Sequence, residues 1–182
     1  MNDSNFGKIH VYTGYGKGKT TASLGLAIRA CGRGKNIAII YFDKGGTDYG
    51  ERKILDQLKN NIVYYVTGRN RIDQQSGKFI FGVEEIDKQE AQRALTIIQN
   101  LFNEPNLDLL ILDEINNSIN LGMVELEEFL NILDRKPKYL ELILTGRDAH
   151  PRILERADLV TEMKLIKHYF YQGTPAREGI EY

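Results

Sequence analysis

A glycine-rich stretch near the N-terminus, TGYGKGKTT at residues 13–21, constrains the fold of this 182-residue chain more than any other feature. It follows a β-branched and aromatic run, KIHVYT, that is typical of a strand, and it leads into a helical pattern that begins at Lys19. Gly14, Gly16 and Gly18 allow the backbone to curl so that several N–H groups point inward. The order of strand, glycine loop and helix therefore predicts a phosphate-binding loop at a helix N-terminus.

The same stretch supplies the charge and the hydroxyl group that a bound nucleotide needs. We expect Lys19 to reach the terminal phosphates and Thr20 to offer its hydroxyl group to Mg²⁺, as in the P-loop pattern. The match is incomplete, because Thr13 stands where the pattern has its first glycine. A glycine-rich turn with solvated lysines is the alternative interpretation. The predicted nucleotide-binding residues of this stretch are Gly14, Tyr15, Gly16, Lys17, Gly18, Lys19, Thr20 and Thr21.

Two later motifs follow apolar runs. LDLLILDE ends in Asp113 and Glu114, and a buried run that ends in a carboxylate is typical of a Walker B strand, which brings its acid beside Mg²⁺. We predict that Thr20, Asp113 and Glu114 bind the metal; an acidic helix cap is the alternative. LILTGRD presents Arg147, whose paired donors suit phosphate oxygens. A surface arginine in a turn is the alternative interpretation. The predicted catalytic residues are Lys19, Thr20 and Arg147.

Strand-like and helix-like segments alternate along the whole chain. Continuous apolar runs such as NIAIIYF suit strands that are covered on both faces, as in parallel sheets. The order predicts an α/β fold, P-loop NTPase-like (RecA-like), with a mostly parallel six-stranded sheet and helices on both faces. We expect residues 1–182 to form a single P-loop α/β domain, in which residues 159–170 form the sixth strand and the remaining tail is coil.

Composition narrows the possible partners. The formal net charge of −1 gives no general attraction to nucleic acid or to acidic membranes. Cys31 is the only cysteine, so no intrachain disulfide can form, and a reducing compartment fits best. The N-terminus lacks the apolar core of a signal peptide, and no run approaches the ~20 apolar residues of a membrane helix. We expect a cytoplasmic protein without nucleic-acid or membrane partners.

The residues by themselves leave the reaction open. They indicate an ATP- or GTP-binding domain with Mg²⁺, and such a domain can serve hydrolysis, phosphoryl transfer or a reaction in which the triphosphate is only a handle. Another P-loop ATPase or a kinase acting on a small molecule is therefore an alternative. A nucleic-acid-binding module with a RecA-like core is disfavoured by the near-neutral charge.

The chain resembles the ATP:cob(I)alamin (corrinoid) adenosyltransferases of the CobA/BtuR/CobO type, nearly end to end. The resemblance rests on the opening segment VYTGYGKGKTTASLGLAIRACGRGKNIAIIYFDKG, with threonine at the first P-loop position, and on GERKIL, LDLLILDEI, ELILTGRDAHPRILERADLVTEMKLIKH and the closing GIEY. It implies a transferase that moves the 5′-deoxyadenosyl group of ATP to Co(I) of cobalamin, or of a cobinamide or cobyrinic acid precursor. Triphosphate would be the second product.

The resemblance also implies further residues and partners. Arg29 on the first helix matches an arginine of the family, so we expect it to contact ATP. Family members carry bulky aromatic residues after the third strand, where they crowd the lower face of the corrinoid. Here Arg69 stands near that place and Phe79 and Phe81 follow, so these three residues are assigned to the corrinoid side. The resemblance further implies a homodimer and an electron-donating reductase such as a flavoprotein.

Overall fold

The computed structural model describes residues 6–47, 49–71 and 80–182. Within these residues the strands are β1 (Ile9–Thr13), β2 (Ile37–Phe42), β3 (Ile62–Thr67), β4 (Leu109–Asp113), β5 (Glu141–Thr145) and β6 (Leu159–Glu162). The α-helices are α1 (Lys19–Cys31), α2 (Gly50–Leu55), α3 (Glu85–Leu101), α4 (Ile115–Asn120), α5 (Leu126–Leu133) and α6 (Pro151–Leu154). Short 3₁₀ turns cover Asp56–Leu58 and Tyr169–Gln172.

The strands form one sheet in the order β3-β2-β4-β5-β1-β6, and every neighbouring pair runs parallel. All carboxyl ends therefore lie along one edge, where ligands bind in open parallel sheets. The glycine loop after β1 and the acidic pair after β4 meet at this edge, with β5 between their strands. The predicted α/β class with a six-stranded sheet is confirmed.

The sheet is buried on both faces, which explains the uninterrupted apolar runs. All six residues of β2 are buried, and alternate side chains belong to different cores. Ile40 packs in a core that includes Leu95 of α3 and Phe129 of α5. Ile39 packs in the opposite core, which includes Ala27 of α1 and Leu55 of α2. Helices thus cover both faces, as predicted.

The end of the chain differs from expectation. β6 stops at Glu162 instead of continuing toward residue 170. The next residue, Met163, accepts a hydrogen bond from the Gly16 amide (2.6 Å) through its carbonyl oxygen, so the chain crosses the glycine loop there and leaves the sheet. The tail, expected to be coil, contains the 3₁₀ turn Tyr169–Gln172 and folds back to Lys17.

The described part of the chain contains no helix that combines the length and the hydrophobicity of a membrane span.

Candidate nucleotide site

A cavity of about 850 Å³ opens at the carboxyl edge of the sheet. The glycine loop and the first turn of α1 form its floor. Lys44 after β2, Glu114 after β4 and Arg147 after β5 contribute to its walls, and the C-terminal tail, from Leu165 to Tyr182, closes one side. The cavity volume is in the range of small-molecule and cofactor sites.

The glycines of the loop are required by backbone geometry and by close packing. Gly14 and Gly18 have φ angles of 94° and 118°, in the left-handed region that other residues rarely adopt. A side chain at Gly14 or Gly16 would place Cβ 2.6 or 2.7 Å from the Met163 carbonyl oxygen. Helix α1 then starts at Lys19 without a side-chain cap, so its first N–H groups have no side-chain acceptor. Such a helix start favours an anion.

Lys19 lies inside the curl of this loop. Its Nζ atom donates to the carbonyl oxygens of Gly14 (2.7 Å) and Gly16 (2.9 Å). Burial lowers the pKa of the Lys19 ammonium group, whereas the Glu114 carboxylate acts in the opposite direction. The positive charge is therefore held at the centre of the glycine loop by neutral carbonyl groups, which an anionic ligand can replace.

Asp113 connects three elements at the carboxyl edge. Its side chain is only 1% exposed. It accepts hydrogen bonds from the hydroxyl groups of Thr20 (3.0 Å) and Thr145 (2.7 Å), and from Lys44 Nζ (2.5 Å). The structure thus places the hydroxyl group at the start of α1 directly beside the carboxylate at the end of β4.

Glu114 has a strained backbone. Its φ angle of 65° is left-handed, and its amide donates to Thr145 Oγ1 (3.0 Å) where α4 begins. Such a conformation costs about 1–3 kcal/mol and persists where surrounding contacts enforce it, often at functional sites. Burial raises the pKa of the Glu114 carboxyl group, and the Lys44 ammonium group opposes the shift. Glu114 therefore contributes a carboxylate to the cavity wall, and it follows the buried Asp113 in the sequence.

Lys44 is a cavity residue that the sequence motifs did not single out, and it is in contact with the predicted metal ligands. Its Nζ atom lies 2.9 Å from Thr20 Oγ1, 2.5 Å from an oxygen of Asp113 and 3.6 Å from an oxygen of Glu114. Burial alone lowers its pKa, but the two carboxylates outweigh this effect, so the Lys44 pKa stands above its ordinary value. The signal available in the sequence was its position, two residues after the buried strand β2.

Tyr15 and Arg147 lie together on another wall. The Tyr15 hydroxyl group donates to Asp148 (2.8 Å), which follows β5. The Arg147 guanidinium group lies 5.6 Å from the centre of the Tyr15 ring, within the range of a cation–π contact. The glycine loop is therefore fixed to the segment after β5, and Arg147 is exposed on the cavity.

Lys17 is bound to the tail. Its Nζ atom donates to Glu181 (2.6 Å) and to the carbonyl oxygen of Ile180 (2.8 Å). Tyr169 and Arg177 also donate to the Glu181 carboxylate. Hydrogen bonds from Arg177, Lys17 and Tyr169, in that order of effect, hold the pKa of Glu181 well below its ordinary value. The loop lysine closest to the tail therefore tethers that segment in this structure.

The remaining predicted residues lie in different places. Thr21 lines the cavity. Arg29 is exposed in the last turn of α1, about 15 Å along the helix axis from Lys19. Arg69 forms ion pairs with Glu84 (2.7 Å) and Asp87 (3.0 Å) at the start of α3. Phe81 is 83% exposed. Phe79 lies outside the described residues.

Comparison with known proteins shows which family this chain is similar to. A model of the family described as "ATP:corrinoid adenosyltransferase BtuR/CobO/CobP" matches residues 5–182. Similar proteins include "Corrinoid adenosyltransferase CobA" of Salmonella typhimurium, which is 35% identical, and "Corrinoid adenosyltransferase" of Escherichia coli (strain K12), which is 36% identical. Each alignment covers 97% of this chain and 86% of the relative. A corrinoid adenosyltransferase of Pseudomonas aeruginosa is 32% identical over 97% of this chain and 84% of its own length.

Proposed function

The chain belongs to the ATP:corrinoid adenosyltransferase family, and we propose that it transfers the 5′-deoxyadenosyl group of ATP to Co(I) of a corrinoid and releases triphosphate. The observation that carries this proposal is the match to the family over residues 5–182, supported by relatives of 32–36% identity over 97% of the chain. The corrinoid is cobalamin or a cobinamide or cobyrinic acid precursor. The enzyme is a transferase.

The triphosphate of ATP binds at the glycine loop. The left-handed Gly14 and Gly18 and the uncapped start of α1 provide backbone donors for phosphate oxygens. Lys19 exchanges its two carbonyl acceptors for phosphate oxygens, which accept stronger, charge-assisted hydrogen bonds. Arg147 contributes from the wall after β5. Arg29 remains a prediction from the resemblance, because it lies at the other end of α1.

Thr20, Asp113 and Glu114 fit a magnesium site. They present one hydroxyl and two carboxylate groups within a small volume, and such oxygen ligands are those that Mg²⁺ prefers. Among the described residues there is no group of three or more acidic, histidine or cysteine side chains that could bind a metal. Mg²⁺ usually needs only one or two carboxylates, because water and substrate phosphates supply its other ligands. When bound, Mg²⁺ neutralises charge on the phosphates.

The reaction requires charge stabilisation and alignment. Co(I) attacks C5′ of ATP, a C–Co bond forms, the C5′–O bond breaks, and its electron pair leaves with the triphosphate. Co(I) carries no proton, so no general base is needed. Lys19, Arg147 and the loop N–H groups stabilise the charge that develops on the departing oxygen. Holding C5′ in line with cobalt supplies much of the remaining acceleration.

The corrinoid and the partners belong to the same proposal. Arg69, Phe79 and Phe81 are assigned to the corrinoid side. The ion pairs of Arg69 with Glu84 and Asp87 support a positioning role for Arg69 at the start of α3. We further propose that residues 1–182 act as one P-loop domain in a cytoplasmic homodimer, and that a reductase such as a flavoprotein supplies electrons.

The test is a product assay with Mg-ATP and chemically reduced cobalamin. We expect a light-sensitive alkylcobalt spectrum and one triphosphate for each cobalt–carbon bond formed. Lys19→Ala should lower the rate by at least about 100-fold, because a preorganised charge on the leaving group is lost. Lys59→Ala is the matched control, since Lys59 is an exposed lysine on the turn before β3, at the opposite edge of the sheet.

The products decide against the alternative enzymes. Orthophosphate alone would indicate a P-loop ATPase, and a phosphorylated acceptor would indicate a kinase. Either result, with no triphosphate and no alkylcobalt product, would overturn the proposed function.

A further inference from the structure

We propose that Lys44 is a phosphate ligand whose ammonium group competes with the divalent cation for Thr20, Asp113 and Glu114 and moves to the triphosphate when that cation binds. This inference rests on the proposed function. It starts from one observation: Lys44 Nζ contacts all three groups assigned to Mg²⁺, at 2.9 Å from Thr20, 2.5 Å from Asp113 and 3.6 Å from Glu114.

An ammonium group and a divalent cation exclude each other from this place. Both need the same oxygen atoms, and Mg²⁺ binds its ligands at about 2.0–2.1 Å in a compact octahedron. Two like charges a few ångströms apart in a poorly solvated site repel each other strongly. The Lys44 side chain is only 17% exposed, so water screens this repulsion little. Binding of the metal therefore expels the ammonium group from the Asp113 carboxylate.

The backbone that carries Lys44 is fixed, so the side chain has to move. The Arg52 guanidinium group donates to the carbonyl oxygens of Lys44 (2.6 Å) and Gly46 (2.5 Å). On the other side Arg71 pairs with Asp43 (2.7 Å). Gly45 packs so closely that a Cβ atom would lie 2.2 Å from the Arg69 carbonyl carbon. The four-carbon stem of lysine is the mobile part.

Other cations line the same cavity as Lys44 and suit the same kind of ligand. Lys44, Lys19 and Arg147 reach the same cavity from three different loops, after β2, β1 and β5. Three cations around one cavity fit a highly charged anion, and in ATP only the triphosphate has that charge. Lys44 follows β2 and Arg147 follows β5, and these two strands lie on opposite sides of β4. Lys44 and Arg147 therefore bind phosphate oxygens from opposite sides. The metal and the lysine then neutralise the leaving group together.

Two binding measurements on Lys44→Met test this inference. Mn²⁺ alone, followed by electron paramagnetic resonance without nucleotide, should bind about tenfold more tightly to the variant, because the competing ammonium group is gone. Inorganic tripolyphosphate with Mg²⁺, followed by calorimetry, should bind about tenfold more weakly, because a phosphate ligand is lost. The matched control is Lys35→Met, which removes a lysine paired with Asp108 (3.0 Å) before β2 and should change neither value.

Tighter binding of Mn²⁺ together with weaker binding of tripolyphosphate would show that Lys44 exchanges the metal ligands for phosphate. A purely structural role would weaken both affinities and lower the melting temperature, and that result would overturn the inference, as would unchanged Mn²⁺ binding. If Lys44→Met does not fold, Lys44→Gln retains a hydrogen-bond donor without the charge and should give the same opposite changes. A wild-type chain that binds neither tripolyphosphate nor ATP would contradict the proposed function itself. Normal wild-type binding with unaltered Lys44 variants would contradict only the role of Lys44.

Discussion

The cavity has two walls that use the same kinds of ion pairs in different surroundings. The inner wall contains Lys44, which pairs with Asp113 at the buried end of β4. The outer wall is formed by the tail, where Glu181 binds Lys17 with side chains that are 19% and 42% exposed. Breaking a buried pair leaves a charge without water or partner, whereas an exposed pair contributes about 0–1 kcal/mol. The backbone of the inner wall is therefore part of the folded core, in which side chains such as Lys44 can exchange partners, whereas the outer wall is held by weaker, more exposed pairs.

The largest expected effect is on the inner wall. Asp113→Asn removes the charge that pairs with Lys44, and we expect the free energy of unfolding to fall by about 3 kcal/mol, as for other broken buried pairs. Urea denaturation measures the change. The matched control is Asp134→Asn, which breaks a pair with Arg156 on the surface and should cost less than about 1 kcal/mol. Equal losses of unfolding free energy in the two variants would show that the buried pair stabilises the fold no more than the exposed pair.

A smaller effect is expected at the loop that supports the inner wall. Gly45→Ala would place a methyl group 2.2 Å from the backbone of Arg69, so the loop has to shift, and we expect a loss of about 1–3 kcal/mol. Tripolyphosphate binding should weaken as well, because Lys44 is displaced. Gly25→Ala is the matched control: nothing lies within 4 Å of its Cβ position, and alanine in the helix should stabilise the chain by about 0.5–1 kcal/mol. Thermal unfolding of both variants measures the difference in stability. A Gly45→Ala chain with unchanged stability and normal tripolyphosphate binding would contradict the prediction.

The smallest effect is a pH response of the outer wall. Hydrogen bonds from Arg177, Lys17 and Tyr169 lower the pKa of Glu181 from its ordinary value of 4.5. The contribution of this carboxylate is therefore complete above that value and is lost as the pH falls toward the lower pKa of the folded state. We expect protection of the Arg177 amide, which donates to Glu181 (2.8 Å), to decrease between about pH 6 and about pH 3.

Hydrogen exchange, corrected for the intrinsic rate at each pH, measures this response. Glu181→Gln should show low protection at both pH values, because its side chain has no charge to lose. The buried amide of Leu112 in β4 serves as the internal reference. A wild-type tail that keeps full protection at the lower pH would show that the ion pairs do not hold it.

The sequence predicted those parts of the fold and the site that depend on neighbouring residues. The strand, glycine loop and helix around Lys19 could be predicted because each has a local signal, and the buried strand β4 with Asp113 at its end has one too. The extent of β6 could not be predicted from its alternating pattern. Its end is set by the Met163 carbonyl oxygen, which bonds Gly16 on the glycine loop.

The partners of the charged residues likewise depend on tertiary contacts and not on local sequence. The P-loop pattern singled out Lys19, which lies within the loop, but no pattern predicted that Lys17 binds the tail. Arg69 was assigned to the corrinoid side by resemblance, and its ion pairs with Glu84 and Asp87 depend on the position of α3. A charged side chain has no periodicity that would reveal its partner.

By itself the sequence determined the α/β class, the glycine loop and the acidic pair, because hydrophobic periodicity and backbone freedom act over a few residues. Only the tertiary structure decided where the charges meet. Lys44 and Asp113 are 69 positions apart, and Lys17 and Glu181 are 164 apart. Parallel pairing of the strands brings the first pair to one edge of the sheet, and the path of the tail across the glycine loop brings the second pair together. Contacts of this kind arise from chain topology, which no local pattern of residues encodes.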